Sequence, residues 1–285
     1  MDWAIFQFLA PAIAASLIIA GIHAYLGLHV VERGVIFVDL SLAQIASLGA
    51  AIAVWQGYDA HGPAIYWLSL VFTLIGAVIF AVIKGHEARI PQEAIIGISY
   101  AVASAAVILT LSQATGEAEH LRDMLVGNIL SVQWPEVWLT GAIYFVIGLF
   151  HYVFRKRFLE ISMDARAAAA SGISVRFWDF LFYASFGFVV TRSVAIAGVL
   201  LVFCYLIVPS VGGMLFSGRI GPRLAIGWVM GTVVSMLGMY FSVQFDLPTG
   251  ATIVCTFGLV LVLMAAVRPL FLPAIAKVVS ESRHA

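Results

Sequence analysis

Nine stretches of mostly apolar residues run through the chain, at 4–31, 35–55, 64–83, 94–112, 135–154, 177–194, 196–216, 224–243 and 249–267. A helix needs about 20 apolar residues to cross the hydrocarbon core of a bilayer. In lipid every backbone polar group must be satisfied internally, which leaves only helices and closed barrels. These stretches are too long and too evenly apolar for alternating barrel strands, so they read as helices. Composition agrees. Only 11% of the 285 residues are charged, against about 25% in soluble domains. The reading is an all-α, polytopic transmembrane bundle of eight to nine spans, forming a single domain over 1–285. The variant with eight full spans has one short or broken segment, and Pro209 with Gly212 and Gly213 marks where the seventh would break.

Loop charge sets the orientation, because Lys and Arg accumulate on the cytoplasmic side. With the N-terminus outside and nine crossings, the inner loops hold Arg33, Lys84, Arg89, Arg155, Lys156, Arg157, Arg166, Arg176, Arg219 and Arg223. The C-terminal tail adds Arg268, Lys277 and Arg283, so thirteen of the 15 basic residues lie inside and only Arg122 and Arg192 outside. Residues 1–10 carry Asp2 and no basic residue, so the first stretch reads as a retained span and not a cleaved signal. Net charge is zero, which gives no footprint for a nucleic-acid partner. Cys204 and Cys255 both fall in apolar stretches and read as buried free thiols. The sixth and seventh stretches are separated by a turn at Arg192–Ala195, where Arg192 is expected to pair with an outer acid. Asp246, before Pro248, is expected to cap the last span. Gly227 and Gly231 form a G-x-x-x-G pair suited to close packing within the subunit.

No segment is long enough for a nucleotide-binding fold, and no phosphate-cradling G-x-x-x-x-G-K-[ST] motif occurs. Any ATP must act on a separate subunit. The inner loop 155–176 is built to receive one. It opens with Arg155-Lys156-Arg157 and continues through Asp164-Ala165-Arg166-Ala167-Ala168-Ala169-Ala170-Ser171-Gly172. Asp164 is an N-cap residue, alanine favours helix, and Gly172 is a stop. A helix of about two turns with a small-residue face follows. It either joins two spans or seats in a partner.

At this point the chain resembles a known family, the permease subunits of bacterial metal-type ABC transporters, which import zinc, manganese or iron. The likeness runs from about Gly21 to Val267 in ordered pieces: Arg33 to Gly49, Glu93 to Ile98, Asp123 to Leu130, Asp164 to Val175, Gly198 to Val202 with Ile207 to Pro209, and Asp246 to Gly250 with Ile253-Val254. The resemblance implies a multi-pass protein of the bacterial inner membrane that forms a homodimer and docks two ATP-binding subunits. It also implies a periplasmic or lipid-anchored solute-binding protein that delivers a divalent metal as cargo, with no covalently bound cofactor. Asp164, Ala168 and Gly172 are then the ATPase-coupling residues. One departure stands out. Where the family typically has Asp-Ala-Leu-Ser-His-Ala in the second span, Asp39 matches the acid and Ala43 replaces the histidine; in the register shifted by one, Gln44 takes that place and Leu40 replaces the acid.

Ionisable residues inside a span are costly and mark ion paths. Asp39, in the second span, is either a cation ligand or a helix-end acid that stays solvated or pairs with Arg33. His23 lies about 12 Å from the inner edge of the first span, and Gln44 about 15 Å from that edge of the second, at about 1.5 Å per residue. The two stand at similar depth, so His23 is expected to supply the missing imidazole beside Asp39 and Gln44. The plainer reading is a histidine donating to a backbone carbonyl, and His29 is a weaker candidate. Tyr58, Asp59 and His61, with Glu119 and His120, fall in outer loops that either touch a binding protein or capture ions, or, on the plainer reading, are simply solvated.

Two other functions compete. A self-sufficient carrier or channel would show more intramembrane charges or paired broken helices, and a permease for a non-metal solute would share the architecture. An intramembrane protease is disfavoured: His86-Glu87 opens a zinc motif, but Ile90 stands where the second histidine belongs. The chain therefore reads as a transport subunit and not an enzyme.

Overall fold

The computed structural model describes residues 3–59, 62–83, 91–112 and 129–281. Among these residues nine helices are long and apolar enough to cross a membrane. They are α1 (Trp3–Glu32), α2 (Val38–Trp55), α3 (Pro63–Ile83), α4 (Gln92–Leu111), α5 (Trp134–Val153), α8 (Val175–Ala197), α9 (Val199–Phe216), α10 (Ile220–Phe245) and α11 (Thr249–Glu281). Two short helices, α6 (Arg155–Met163) and α7 (Ala165–Ala170), fill the link between α5 and α8. All nine expected stretches are therefore helices. The seventh is unbroken, with Pro209 inside α9.

The bundle has two lobes. Helices α2, α3 and α4 pack together with α8, while α1 packs with α9 and α10, and α11 covers α9 and α10. Helix α5 lies against α1, and α9 also touches α8 and the start of α2. In lipid there is no apolar driving force between helices, so close packing through small residues has to hold them. Gly227 and Gly231 do this within the subunit, as expected. A Cβ on Gly227 would stand 3.3 Å from the Pro209 carbonyl, and one on Gly231 would stand 3.1 Å from Ala20 Cβ. The outward faces keep large apolar side chains exposed, which suits a lipid surround. Trp134 and Trp138 stack at 6.0 Å on the outer turn of α5, where an aromatic belt belongs.

Contacts between helix ends bring several of the basic residues together at one end of the bundle. Arg33 reaches Asp179 at the start of α8, Arg223 pairs with Glu32, and Arg268 Nε donates to the Leu215 carbonyl at 2.9 Å. These basic residues gather at one end, the one assigned to the cytoplasm.

Four expectations need correction. The break between α8 and α9 falls at Gly198, not at Arg192–Ala195. Gly198 has φ 77°, a left-handed conformation that a Cβ would penalise. Arg192 is inside α8 and donates Nε to Thr140 Oγ1 at 3.1 Å, on α5. Asp246 does not cap α11; it ends α10 in a left-handed conformation at φ 51°. The cysteines are both free thiols, but Cys255 is exposed and Cys204 only half-buried.

Candidate functional site

Helix α2 carries the acidic candidate. It starts from a turn in which Val35 N–H donates to the Val30 carbonyl, so Asp39 falls in its first turn. Asp39 is 1% exposed, and its Oδ1 has no hydrogen-bond partner in the structure. Both plainer readings of this residue are therefore set aside: it is not solvated, and Arg33 has turned to Asp179. The start of α2 leans on α9, with Phe37 stacked on Phe203 at 6.3 Å, and Asp39 lies within electrostatic reach of the Cys204 thiol. Along the same helix Ser41, Gln44 and Ser47 are buried. Ser47 Oγ donates to the Ala43 carbonyl at 2.9 Å.

His23 goes elsewhere. Its Nδ1 bonds the Ile19 carbonyl at 2.9 Å, and its ring stands edge-on to Tyr144 of α5 at 6.5 Å. The chief partners of α1 are α9, α10 and α5, while α2 packs on α3, α4 and α8. The expected meeting of His23 with Gln44 is therefore not made; equal depth did not bring the two residues to facing sides of their helices. Among the described residues no three of His, Cys, Asp and Glu converge in a way that could hold a metal. Tyr58 and Asp59 are exposed. His61, His86, Glu119 and His120 lie outside the described residues, as do Lys84, Arg89 and Arg122.

The inner arm forms as its sequence directs. Asp164 Oδ1 accepts from the amides of Arg166 and Ala167, at 3.0 and 2.9 Å. Gly172, at φ 84°, closes α7. Ala168 is buried against Ile161 and Ile173, so it helps to hold the arm together. Asp164, Arg166, Ala167, Ala169, Ala170, Ser171 and Gly172 are exposed. Glu160, Met163, Asp164, Ala167, Ala168 and Ser171 line a shallow groove of about 240 Å³. Losing the cap should weaken this helix. Asp164→Ala is expected to cost about 1 kcal/mol and to speed hydrogen exchange at the Arg166 and Ala167 amides; unchanged exchange would show that the cap contributes nothing.

Behind the arm lies a site that sequence reading missed. Arg33 Nη1 donates to Asp179 Oδ1 at 2.5 Å, with the two side chains 1% and 0% exposed. Arg33 Nε donates to Ser162 Oγ at 2.9 Å, and His29 Nδ1 is 2.8 Å from the same oxygen. The guanidinium lies over the Phe182 ring at 4.0 Å. The one signal in the sequence was Asp179, an acid inside an apolar stretch.

The profile of the ABC 3 transport family matches residues 5–268. The chain belongs to the ABC 3 transport family. This ABC 3 protein is 25% identical over 249 residues to the manganese transport system membrane protein MntC of Halalkalibacterium halodurans, covering 87% of this chain and 83% of that one. It is 25% identical over 264 residues to the manganese import system permease protein ScaB of Streptococcus gordonii, covering 93% and 92%. Its fold superposes on a chain of PsaBC from Streptococcus pneumoniae, solved in complex with Fab, with a TM-score of 0.76 at 24% identity, covering 91% of each chain. The chain is thus a multi-pass bacterial membrane protein, an all-helical permease of the ABC metal-importer type. In this ABC 3 permease Ala43 is 1% exposed, one turn beyond Asp39, so α2 offers a carboxylate there without an adjoining imidazole.

Proposed function

We propose that this permease carries a divalent metal ion inward, manganese foremost, driven by ATP hydrolysed on a separate subunit that docks at α7. Two copies enclose the path, and a solute-binding protein delivers the ion from outside. The observation that carries the reading is Asp39, a carboxylate 1% exposed with one oxygen lacking a protein partner. A buried acid is expensive unless something positive visits it, and Arg33, the cation nearest in sequence, is engaged elsewhere. Carboxylate and amide oxygens, here Asp39 and Gln44, suit a hard ion such as manganese. The names of the relatives MntC and ScaB support the same cargo. His23 is left with a packing role against α5.

A second cargo, zinc or iron, is favoured by one observation, the Cys204 thiol within electrostatic reach of Asp39, since sulfur ligands prefer softer metals.

Radioactive manganese uptake into cells with and without the chain tests the reading, with zinc and iron as competitors. A charge-assisted contact is worth about 1.5–3 kcal/mol, and each 1.4 kcal/mol is about tenfold. Asp39→Ala should therefore raise the KM for uptake by roughly tenfold or more while the amount of folded protein holds. Unchanged uptake in Asp39→Ala would remove Asp39 from the path, and unchanged uptake of all three metals on deletion would remove metal as cargo.

A further inference from the structure

We propose that Arg33 is the joint through which movement of the α6–α7 arm reaches the transport helices. This rests on the reading that α7 receives the ATP-binding subunit. Two separate elements, α6 and α8, converge on one guanidinium. Its Nε is held by Ser162 Oγ at 2.9 Å, from the last turn of α6. Its Nη1 is held by Asp179 Oδ1 at 2.5 Å, from the first turns of α8. Its face rests on Phe182 at 4.0 Å, one turn further along α8. The same Ser162 hydroxyl lies 2.8 Å from His29 Nδ1, which ties in α1.

The placement along the chain gives this cluster its consequence. Ser162 stands two residues before Asp164, the cap of the exposed helix α7. Arg33 stands in the turn that opens α2, the helix that bears Asp39. A displacement of α7 therefore pulls on Ser162, then on Arg33, and so on the start of α2. Apolar packing makes the arm stiff enough to pass a load: Phe158 of α6 is fully buried, stacked on His151 of α5 at 4.3 Å and edge-on to Trp178 of α8 at 5.5 Å. Arg33 cannot drift from its partners gradually, because burial without them is costly. The cluster therefore moves as a unit or exchanges partners in one step, which is the property that a coupling element needs.

Arg33 and Ser162 act in this account as positioning residues and touch no cargo. The test uses the full complex of permease and ATP-binding subunit in proteoliposomes, with ATP hydrolysis and metal uptake measured together. Ser162→Ala removes the arm's links to Arg33 and His29 and leaves the Arg33–Asp179 pair. It is expected to keep assembly and ATP turnover within about twofold of the parent while ions moved per ATP fall at least threefold. Arg33→Lys keeps a cation for Asp179 but has no Nε to give Ser162, and should show the same loss of stoichiometry. If Arg33→Lys fails to assemble, Ser162→Ala carries the decision. A purely structural role would lower assembly and hydrolysis together, and that result, or an unchanged ratio of ions to ATP in Ser162→Ala, overturns the proposal. Failure of the docking reading is distinct: Ala167→Trp, on the exposed face of α7, would then leave the ATP-binding subunit bound and coupled.

Discussion

Gly27→Ala loosens or unfolds the permease, while Gly21→Ala on the same helix leaves it intact. A Cβ on Gly27 would overlap the Leu206 carbonyl of α9 and stand 2.5 Å from Ser210 Oγ. A Cβ on Gly21 meets nothing within 4 Å. The obstacle at Gly27 is backbone, which cannot swing aside as a side chain does. Helices α1 and α9 must separate, and with them goes the packing of Gly227 and Gly231 against Ala24 and Ala20. Overpacking costs about 1–3 kcal/mol and occasionally more; a backbone collision between two principal helices falls at about 3 kcal/mol or above. Between helices in lipid no apolar gain offsets the loss. The measurement is the thermal midpoint of each variant in detergent, read by the fraction surviving gel filtration. Equal midpoints for the two variants would mean that the α1–α9 crossing does not hold the bundle.

Much of this architecture was legible because it follows from solvation. Lipid demands about 20 apolar residues per helix, so all nine spans stand in the sequence as runs. Local signals were equally readable: Asp164 and Gly172 bracket α7 because capping is decided within a few residues. What failed needed three-dimensional direction. His23 and Gln44 share a depth, yet His23 turns to Tyr144 on α5. Ala168 sits in the alanine run but packs on Ile161, and no feature of a uniform run says which alanine points inward. Arg33 and Asp179 are 146 residues apart, so their pairing is a property of the fold and not of any spacing. Helix α6 was read only as a basic anchor, although Phe158 and Ile161, which bury it, already stood on the residues a short amphipathic helix would use.

Ala167→Trp separates the permease from its motor without harming its fold. Ala167 is exposed and lines the shallow groove beside Glu160, Met163 and Ser171. An indole there occupies the space that a docking partner needs. Exposed substitutions of this kind usually change stability by no more than about 0.5 kcal/mol, so the isolated permease should keep its thermal midpoint. At the centre of an interface a misplaced large side chain costs about 2 kcal/mol or more, which is roughly 30-fold in affinity. Retention of the ATP-binding subunit on an affinity-tagged permease should fall by that order, and uptake should be lost with it. Ala168→Trp, one residue on, makes the informative contrast. Ala168 is buried against Ile161 and Ile173, so a tryptophan there disrupts the arm itself and lowers the midpoint. A variant at Ala167 that still held the ATP-binding subunit and still moved the ion would mean that the motor grips another part of the inner face, and the groove would lose its assigned occupant.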